Sequence, residues 1–327
     1  MRHWGTLAVG AFAGLSAVPV AAESLTVEGI YGSRSPLPGE VEVIATESFG
    51  GDIGPDVVLD LSDALGRVYI EGEPFFRIVP AISRSPNVVI VNQSDDNSSI
   101  TLSDPNAPDA VLRGSVRTNI RDRRVADKET RRCIARNDNG KCTERENVKY
   151  RCDELEVRLD PRITLVDPSG LQLYSRNSSV SQAVRYCEDE RVDLRPDEME
   201  DELRAQLVGE IVADLAPSQR REGIRIMESR KDLRRADRDA FRAAVRMTDD
   251  NPSAACEAFR ALEAGNPSQV SLIFNIGLCA ESEGDLDTAS EYYLLALQID
   301  PGRDYPTYAM DRIDSRRRGE AQLAARE

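Results

Sequence analysis

The chain has 327 residues, with 57 acidic against 42 basic side chains and a net charge of −15 at pH 7. This acidic excess argues against a nucleic-acid partner, because the phosphate backbone attracts basic surfaces. The one histidine is His3, which lies in the leader expected to be removed, and a mature chain without histidine cannot carry out Ser-His-Asp or Cys-His catalysis. The sequence has no phosphate loop, nucleophile elbow or dinucleotide fingerprint. We therefore predict no catalytic residues, no cofactor and no enzyme activity.

The amino terminus has the pattern of a secretory leader. A positively charged start, Met1–Trp4, precedes an apolar run from Gly5 to Val20 and two small residues ending at Ala22. We expect a signal peptide at residues 1–22, cleaved after Ala22, and hence export. A retained anchor is the alternative, but the run is short and rich in small residues for a membrane span. No later apolar stretch approaches the ~20 residues of a span, so we expect none in the mature chain. The alanine- and arginine-rich composition favours a bacterial periplasm.

Residues 23–217 have the pattern of one α/β domain, long enough for a core of its own. Strand-like segments are separated by apolar residues at helical spacing. In chain order the predicted elements are a strand at Val41–Ala45, a glycine turn at Phe49–Pro55, a helix at Val57–Val68, strands at Phe75–Val79 and Asp109–Val116, a hairpin from Leu155 to Ser175 and a helix at Asp197–Leu215. The glycine turn is interpreted as a strand-to-helix connection rather than a phosphate cradle, since it lacks the Lys-Ser/Thr ending of a phosphate loop.

An insert at about residues 120–152 is dense in charged side chains. Its stretch from Arg121 to Arg136 is interpreted as the solvated face of a loop. A site for an anionic ligand is the alternative.

An even number of cysteines in an exported chain predicts disulfide bonds. The six are Cys133, Cys142, Cys152, Cys187, Cys256 and Cys279. An Asn139-Gly140 turn would bring Cys133 and Cys142 together, so the preferred pairing is Cys133–Cys142 with Cys152–Cys187. Cys256 and Cys279 fall in neighbouring predicted helices, where a third bond would fit. A metal site is the alternative, and it is disfavoured because tight Cys-x-x-Cys pairs and further histidines are missing.

The carboxyl-terminal part repeats with a period of 34 residues, the period of the tetratricopeptide helix-turn-helix unit. The residues at this interval are Ala255 and Ala289, Phe259 and Tyr293, Leu262 and Ala296, and Pro267 and Pro301. Small residues let two antiparallel helices approach closely, and Pro301 ends a helix because proline has no N–H to donate. The segments 236–269 and 270–303 therefore resemble tetratricopeptide repeats. A linker at 218–235 precedes them, and a closing helix is predicted within 304–327, so that the helical module spans 236–327.

The order of elements between residues 40 and 217 resembles the TolB amino-terminal and CsgG-like α/β domain. The resemblance rests on the strand, glycine turn, helix and strand, then on Asp109–Val116, the hairpin through Asp167, and the helix that ends at Pro217. It implies a bacterial cell-envelope protein in which such a domain is followed by tetratricopeptide repeats. The expected fold class is thus α+β, a sheet domain followed by an all-α module.

These features predict an exported, non-enzymatic interaction protein of the cell envelope. Tetratricopeptide modules bind a protein or peptide partner in the groove lined by the first helix of each repeat. This implies exposed residues near Asp239–Arg246 and Ile273–Glu281, with Asn275 and Arg242 as partner contacts. Packing of Asn275 within its own chain is the alternative. A ligand-sensing domain or a carboxylate-based hydrolase is the alternative function, and self-association is left open.

Overall fold

The computed structural model describes residues 23–80 and 107–326, and the predicted leader lies outside them. Within these ranges, helices accompany mixed sheets, which confirms the α+β class. The strands are β1 Ser24–Tyr31, β2 Val43–Thr46, β3 Tyr69–Ile70, β4 Glu73–Pro74, β5 Arg77–Pro80, β6 Ala110–Arg136, β7 Cys142–Val166, β8 Gln172–Arg176, β9 Val180–Cys187 and β10 Ser218–Arg225. The helices are α1 Gly54–Gly66, α2 Pro196–Leu215, α3 Arg238–Met247, α4 Pro252–Glu263, α5 Val270–Ser282, α6 Leu286–Ile299 and α7 Asp304–Ala324, with a short 3-10 turn at Arg235–Asp237.

The main sheet has the strand order β5-β2-β6-β7-β8, and β9 also pairs with β7. β2 runs parallel to β5 and β6, whereas β7 is antiparallel to β6, β8 and β9. Parallel neighbours need a crossover connection, and the chain from β2 to β5 passes through α1. Two further pairs, β1 with β10 and β3 with β4, form two-stranded sheets.

The core of this domain lies between the main sheet and the helices α1 and α2. Along β7, the odd-numbered positions from Leu155 to Leu165 are buried and the even-numbered ones between them are more exposed, as the two-residue period of a strand requires. A four-residue spacing of apolar side chains predicts one buried face for α2, and the structure confirms it, since all four side chains join this core: Leu203, Leu207, Ile211 and Leu215. Full burial of each such leucine contributes about 1.5–3 kcal/mol.

The glycine turn before α1 packs against β6. Gly51 has a φ of 92°, and a Cβ at this position would lie 2.0 Å from the carbonyl oxygen of Val116. Only glycine fits there, because any side chain would collide with fixed backbone. Gly50 also donates its N–H to the carbonyl of Gly114 at 3.0 Å and accepts one from Val116 at 2.9 Å. These contacts support the interpretation as a structural turn.

The predicted loop within residues 120–152 is wrong, because the insert is a two-stranded ribbon. β6 and β7 remain paired from Val111–Val166 out to Arg136–Cys142. The turn at its tip is closed by Asn137, whose Oδ1 accepts the N–H of Lys141 at 2.9 Å. Both faces of the outer ribbon are largely solvated, so the apolar alternation that marks a half-buried strand is missing from its sequence.

The predicted disulfide pairing is confirmed. Cys133 bonds Cys142 near the ribbon tip, Cys152 bonds Cys187 between β7 and β9, and Cys256 bonds Cys279 between α4 and α5. None of the cysteines in the described residues is a free thiol.

Residues Arg221–Met310, with the described residues up to Val27, form one compact unit. α3 packs on α4, α4 on α5, and α5 on α6, so that two helical hairpins follow one another. Asn251 caps α4 and Asp285 caps α6, each accepting a backbone N–H of the first turn at 3.1 and 3.0 Å. We refer to this unit as the helical unit.

The second compact unit comprises Glu28–Arg220 and the carboxyl-terminal residues from Asp311. The closing helix α7 is present as predicted, but from Asp311 onward it belongs to this α/β unit rather than to the helical unit. Close backbone contact explains the assignment: Gly32 donates its N–H to the carbonyl of Ser315 at 2.7 Å, and a Cβ on Gly319 would lie 2.4 Å from the carbonyl oxygen of Ile30.

Candidate functional site

The helical unit binds a piece of its own chain along α5. Residues 226–233, hereafter the internal segment, have neither helix nor regular strand structure. Three side-chain amides, from Asn266, Gln269 and Asn275, hold the backbone of residues 227–234. Hydrogen bonds of this kind contact main-chain atoms, so binding depends little on the side chains of the bound segment.

Asn275 makes the central contact. Its Oδ1 accepts the N–H of Met227 at 2.8 Å, and its Nδ2 donates to the carbonyl oxygen of the same residue at 2.9 Å. Asparagine is suited to this role because one side chain offers both a donor and an acceptor. The arrangement satisfies both main-chain polar groups of Met227 at a place where water is excluded.

Gln269 and Asn266 extend the row of contacts toward the start of α5. Gln269 donates its Nε2 to the carbonyl oxygens of Ser229 at 2.8 Å and Lys231 at 3.0 Å, while its Oε1 caps the helix. Asn266 accepts the N–H of Arg234 at 2.9 Å. The role of these two residues is not evident from the sequence, since amides before a helix are common caps and nothing in the local pattern marks a second partner.

Apolar side chains anchor the internal segment at both ends. Ile226, Met227 and Leu233 are 1%, 7% and 3% exposed. All residues of α5 from Ser271 to Glu281 are buried as well. The predicted exposed groove near Ile273–Glu281 is therefore wrong in this conformation, because buried contacts enclose that helix on every side.

The two predicted partner contacts have different environments. Asn275 is completely buried, so its amide serves the internal segment, as the alternative interpretation held. Arg242, on α3, is exposed to solvent. The structure does not bring these two residues into one polar cluster.

Replacing Asn275 with alanine is expected to destabilise the helical unit by about 2 kcal/mol. The change leaves the N–H and carbonyl of Met227 without partners in a buried position, and each unpaired group costs roughly 1–3 kcal/mol, reduced where water can enter. Urea unfolding monitored by circular dichroism would measure it. Gln298→Ala is the control, since it removes an amide from an exposed position of α6. Equal stability of the two variants would contradict a structural role for the hydrogen bonds between Asn275 and Met227.

The alternative function as a carboxylate-based hydrolase requires two carboxylates facing one pocket. Two cavities among the described residues have volumes of about 480 and 690 Å³. Each is lined by a single carboxylate, Asp160 in the first and Asp63 in the second. Hydrogen bonds from the Ser179 hydroxyl and the Arg158 guanidinium lower the pKa of Asp160, which is opposite to the shift of a general acid.

One group of side chains, Cys187, Asp189 and Glu190, has spacing compatible with a metal ion. The sulfur of Cys187 is bonded to Cys152, and both carboxylates accept hydrogen bonds from Lys128 at 2.9 and 2.5 Å. A disulfide sulfur is not a thiolate ligand, so the donor set does not fit a metal centre.

No known protein family and no curated protein matches this chain. Across the ranges that the structure describes, none of the helices combines the length and the apolar character needed to cross a bilayer.

Proposed function

We propose that this chain is an exported, non-enzymatic interaction protein of the bacterial cell envelope. In this proposal the α/β unit is a TolB-like and CsgG-like domain, and the helical unit is a pair of tetratricopeptide repeats that binds a protein or peptide partner. Removal of a leader at residues 1–22 would deliver the chain to the periplasm. Three disulfides support an oxidising compartment.

The observation that carries the binding function is the two-way contact between Asn275 and the backbone of Met227. The same amide geometry would hold any extended peptide whose backbone takes this path, because it involves main-chain atoms alone. The internal segment is thus interpreted as a ligand that a partner peptide replaces. Its apolar anchors, Met227 and Leu233, define what that partner must supply: apolar side chains six residues apart.

Tethering explains why the site is filled. A segment joined to its receptor by a short connection has an effective concentration in the millimolar range. A free peptide of equal intrinsic affinity therefore binds the parent chain weakly. Weakening the anchors of the internal segment should open the site without altering the amides that recognise the backbone.

We expect Met227→Ser with Leu233→Ser to increase binding of a fluorescein-labelled peptide of residues 224–235 at least tenfold, or about 1.4 kcal/mol. Fluorescence anisotropy with the full mature chain would measure the dissociation constants. A peptide with serine at the positions of both anchors is the matched control. Adding Asn275→Ala to this double variant, hereafter the opened chain, should remove most of the gain in peptide affinity.

Two outcomes would contradict the proposal. The opened chain could bind the peptide no better than its parent, or the gain could survive loss of the Asn275 amide. Either result would make the internal segment a permanent part of the core.

Arg242 is proposed as a further contact outside the segment, and Arg242→Ala should weaken capture of the cell-envelope partner while leaving the melting temperature unchanged, because its side chain is exposed.

A further inference from the structure

The main sheet has a notch where β7 changes partners. Along β7, the last residue paired with β9 is Leu159, opposite Val180. The first residue paired with β8 is Ile163, opposite Arg176. Residues 160–162 of β7 therefore have no neighbouring strand on that side. Pro161 lies in the middle of this gap, and proline cannot donate a ladder hydrogen bond. The gap forms a cavity of about 480 Å³ on the sheet face away from α1 and α2.

Arginines dominate the lining of the notch. Alternation along the strands places Arg158, Asp160 and Arg162 of β7 on this face, opposite Asn119, Arg117 and Ser115 of β6 in that order. Asn177 and Ser179, from the connection between β8 and β9, complete the lining. The lining thus carries three positive charges and one negative charge on a chain whose net charge is −15.

Asp160 compensates one of the three arginines. Its Oδ1 accepts a hydrogen bond from Arg158 Nε at 2.7 Å and another from the Ser179 hydroxyl at 2.6 Å. Arg158 also donates its second guanidinium nitrogen to Ser179 at 2.8 Å. These contacts, with a further hydrogen bond between Asp160 and Asn119, hold one wall of the notch in place.

Arg117 and Arg162 are the two arginines that remain. Neither takes part in an ion pair or a side-chain hydrogen bond within the part of the chain that the structure describes. They are diagonal neighbours on adjacent strands, a spacing of about 7–8 Å between their Cα atoms. Two guanidinium groups on long side chains can meet over one ligand at this spacing, and each can bind an oxyanion through two parallel N–H groups.

We propose that this notch binds the phosphate group of a small polar molecule. Two uncompensated positive charges call for about two negative charges on a compact group, and a phosphomonoester carries −1.5 to −2 at neutral pH. A carboxylate supplies one charge and would leave one arginine unpaired. Asn119, Asn177 and Ser115 line the rest of the cavity and offer donors and acceptors for a hydroxylated body.

Titration of the full mature chain with glycerol 3-phosphate tests the proposal, with line broadening in ³¹P spectra as the readout. We expect saturable binding at low ionic strength, and at least a tenfold loss of affinity in the double variant Arg117→Gln, Arg162→Gln. The matched control is Arg131→Gln with Arg145→Gln. These two exposed arginines are also diagonal neighbours on the same two strands, along the other diagonal, and lie far from the notch. The control should change affinity less than twofold.

Thermal melting of each variant establishes that it is folded, and Arg117→Lys with Arg162→Lys provides a second test. That variant keeps both charges and loses both planar forks, so affinity should fall to an intermediate value. Equal binding by the parent and both glutamine variants would overturn the proposal, because the phosphate would then bind elsewhere, and an equal loss in both variants would overturn it in favour of general charge attraction. Binding of succinate but not of glycerol 3-phosphate would overturn the assignment to phosphate. Inorganic phosphate as the third probe should bind more weakly than glycerol 3-phosphate, and equal binding would show that the polar side chains do not contact the rest of the ligand.

Discussion

Ala289→Arg is expected to unfold the helical unit while the α/β unit keeps its structure. Ala289, Tyr293 and Ala296 form one completely buried stripe along α6, and this helix packs against α5. An arginine at the first of these positions must either force the helices apart or bury a charge without a partner. Overpacking alone costs about 1–3 kcal/mol and an unpaired buried charge costs more, so we expect a loss of at least 3 kcal/mol.

The seam that this substitution enters has little room to adjust. A Cβ on Gly277 of α5 would lie 2.9 Å from the ring of Tyr293, so the backbones already approach as closely as glycine permits. The Tyr293 hydroxyl donates to the buried carboxylate of Glu281 at 2.7 Å. Separating the helices would leave that carboxylate with one hydrogen bond fewer, which adds to the cost.

Hydrogen exchange followed by mass spectrometry would localise the effect. Peptides from 238–299 should lose protection in Ala289→Arg, and those from β2, β6 and β7 should retain it. Gln298→Arg adds the same charge at an exposed position of the same helix and should exchange like the parent. Unchanged protection across 238–299 would contradict both the packing described here and the assignment to tetratricopeptide repeats.

Patterns governed by local chemistry were predictable from the sequence. The Asn139-Gly140 turn indicates the bond between Cys133 and Cys142, and the four-residue spacing of three leucines and Ile211 indicates the buried face of α2. The glycine turn lacks the ending of a phosphate loop, and its contacts with β6 support the structural interpretation. In each case the residues that determine the feature lie within one element or turn, so their spacing alone carries the information.

Features that depend on distant contacts were not predictable in the same way. The ribbon formed by β6 and β7 lacks apolar alternation, because both of its faces are solvated beyond the sheet. Asn275 gave no local sign of burial, since the residue that covers it, Met227, is 48 positions earlier. The notch beside Pro161 exists because β7 exchanges one partner strand for another, and register between strands is set by tertiary packing.

Two of the disulfides, both in the α/β unit, differ in loop length and in burial. Cys152 and Cys187 are buried and close a loop of sequence separation 35, whereas Cys133 and Cys142 are separated by 9 at the end of the solvated ribbon. Cross-linking reduces the entropy of the unfolded chain, and the reduction grows with loop length. The position of the disulfide in the fold then determines how much of this entropy change appears in the free energy of global unfolding.

Cys152→Ala with Cys187→Ala is expected to lower the free energy of unfolding of the α/β unit by about 4 kcal/mol, from the loop-entropy relation. Chemical unfolding of the mature, unreduced chain would measure it, after a thiol reagent has confirmed that the unfolded parent has no free thiols. Cys133→Ala with Cys142→Ala is the matched control. We expect it to leave the global transition nearly unchanged and to accelerate hydrogen exchange in the outer ribbon, because few side chains are buried there and the tip can open locally.

These measurements distinguish two ways in which the bond between Cys152 and Cys187 could stabilise the α/β unit. If the bond between Cys152 and Cys187 stabilises the sheet by restricting the unfolded state, its removal lowers the unfolding midpoint and increases the denaturant slope, because the unfolded chain becomes less compact and exposes more surface. If it instead holds β9 in a register that the sheet would not keep alone, peptides from β9 exchange before the rest of the unit unfolds. The ladder from Leu159–Val180 to Cys152–Cys187 is continuous, which favours the first explanation, and early exchange confined to β9 would contradict it.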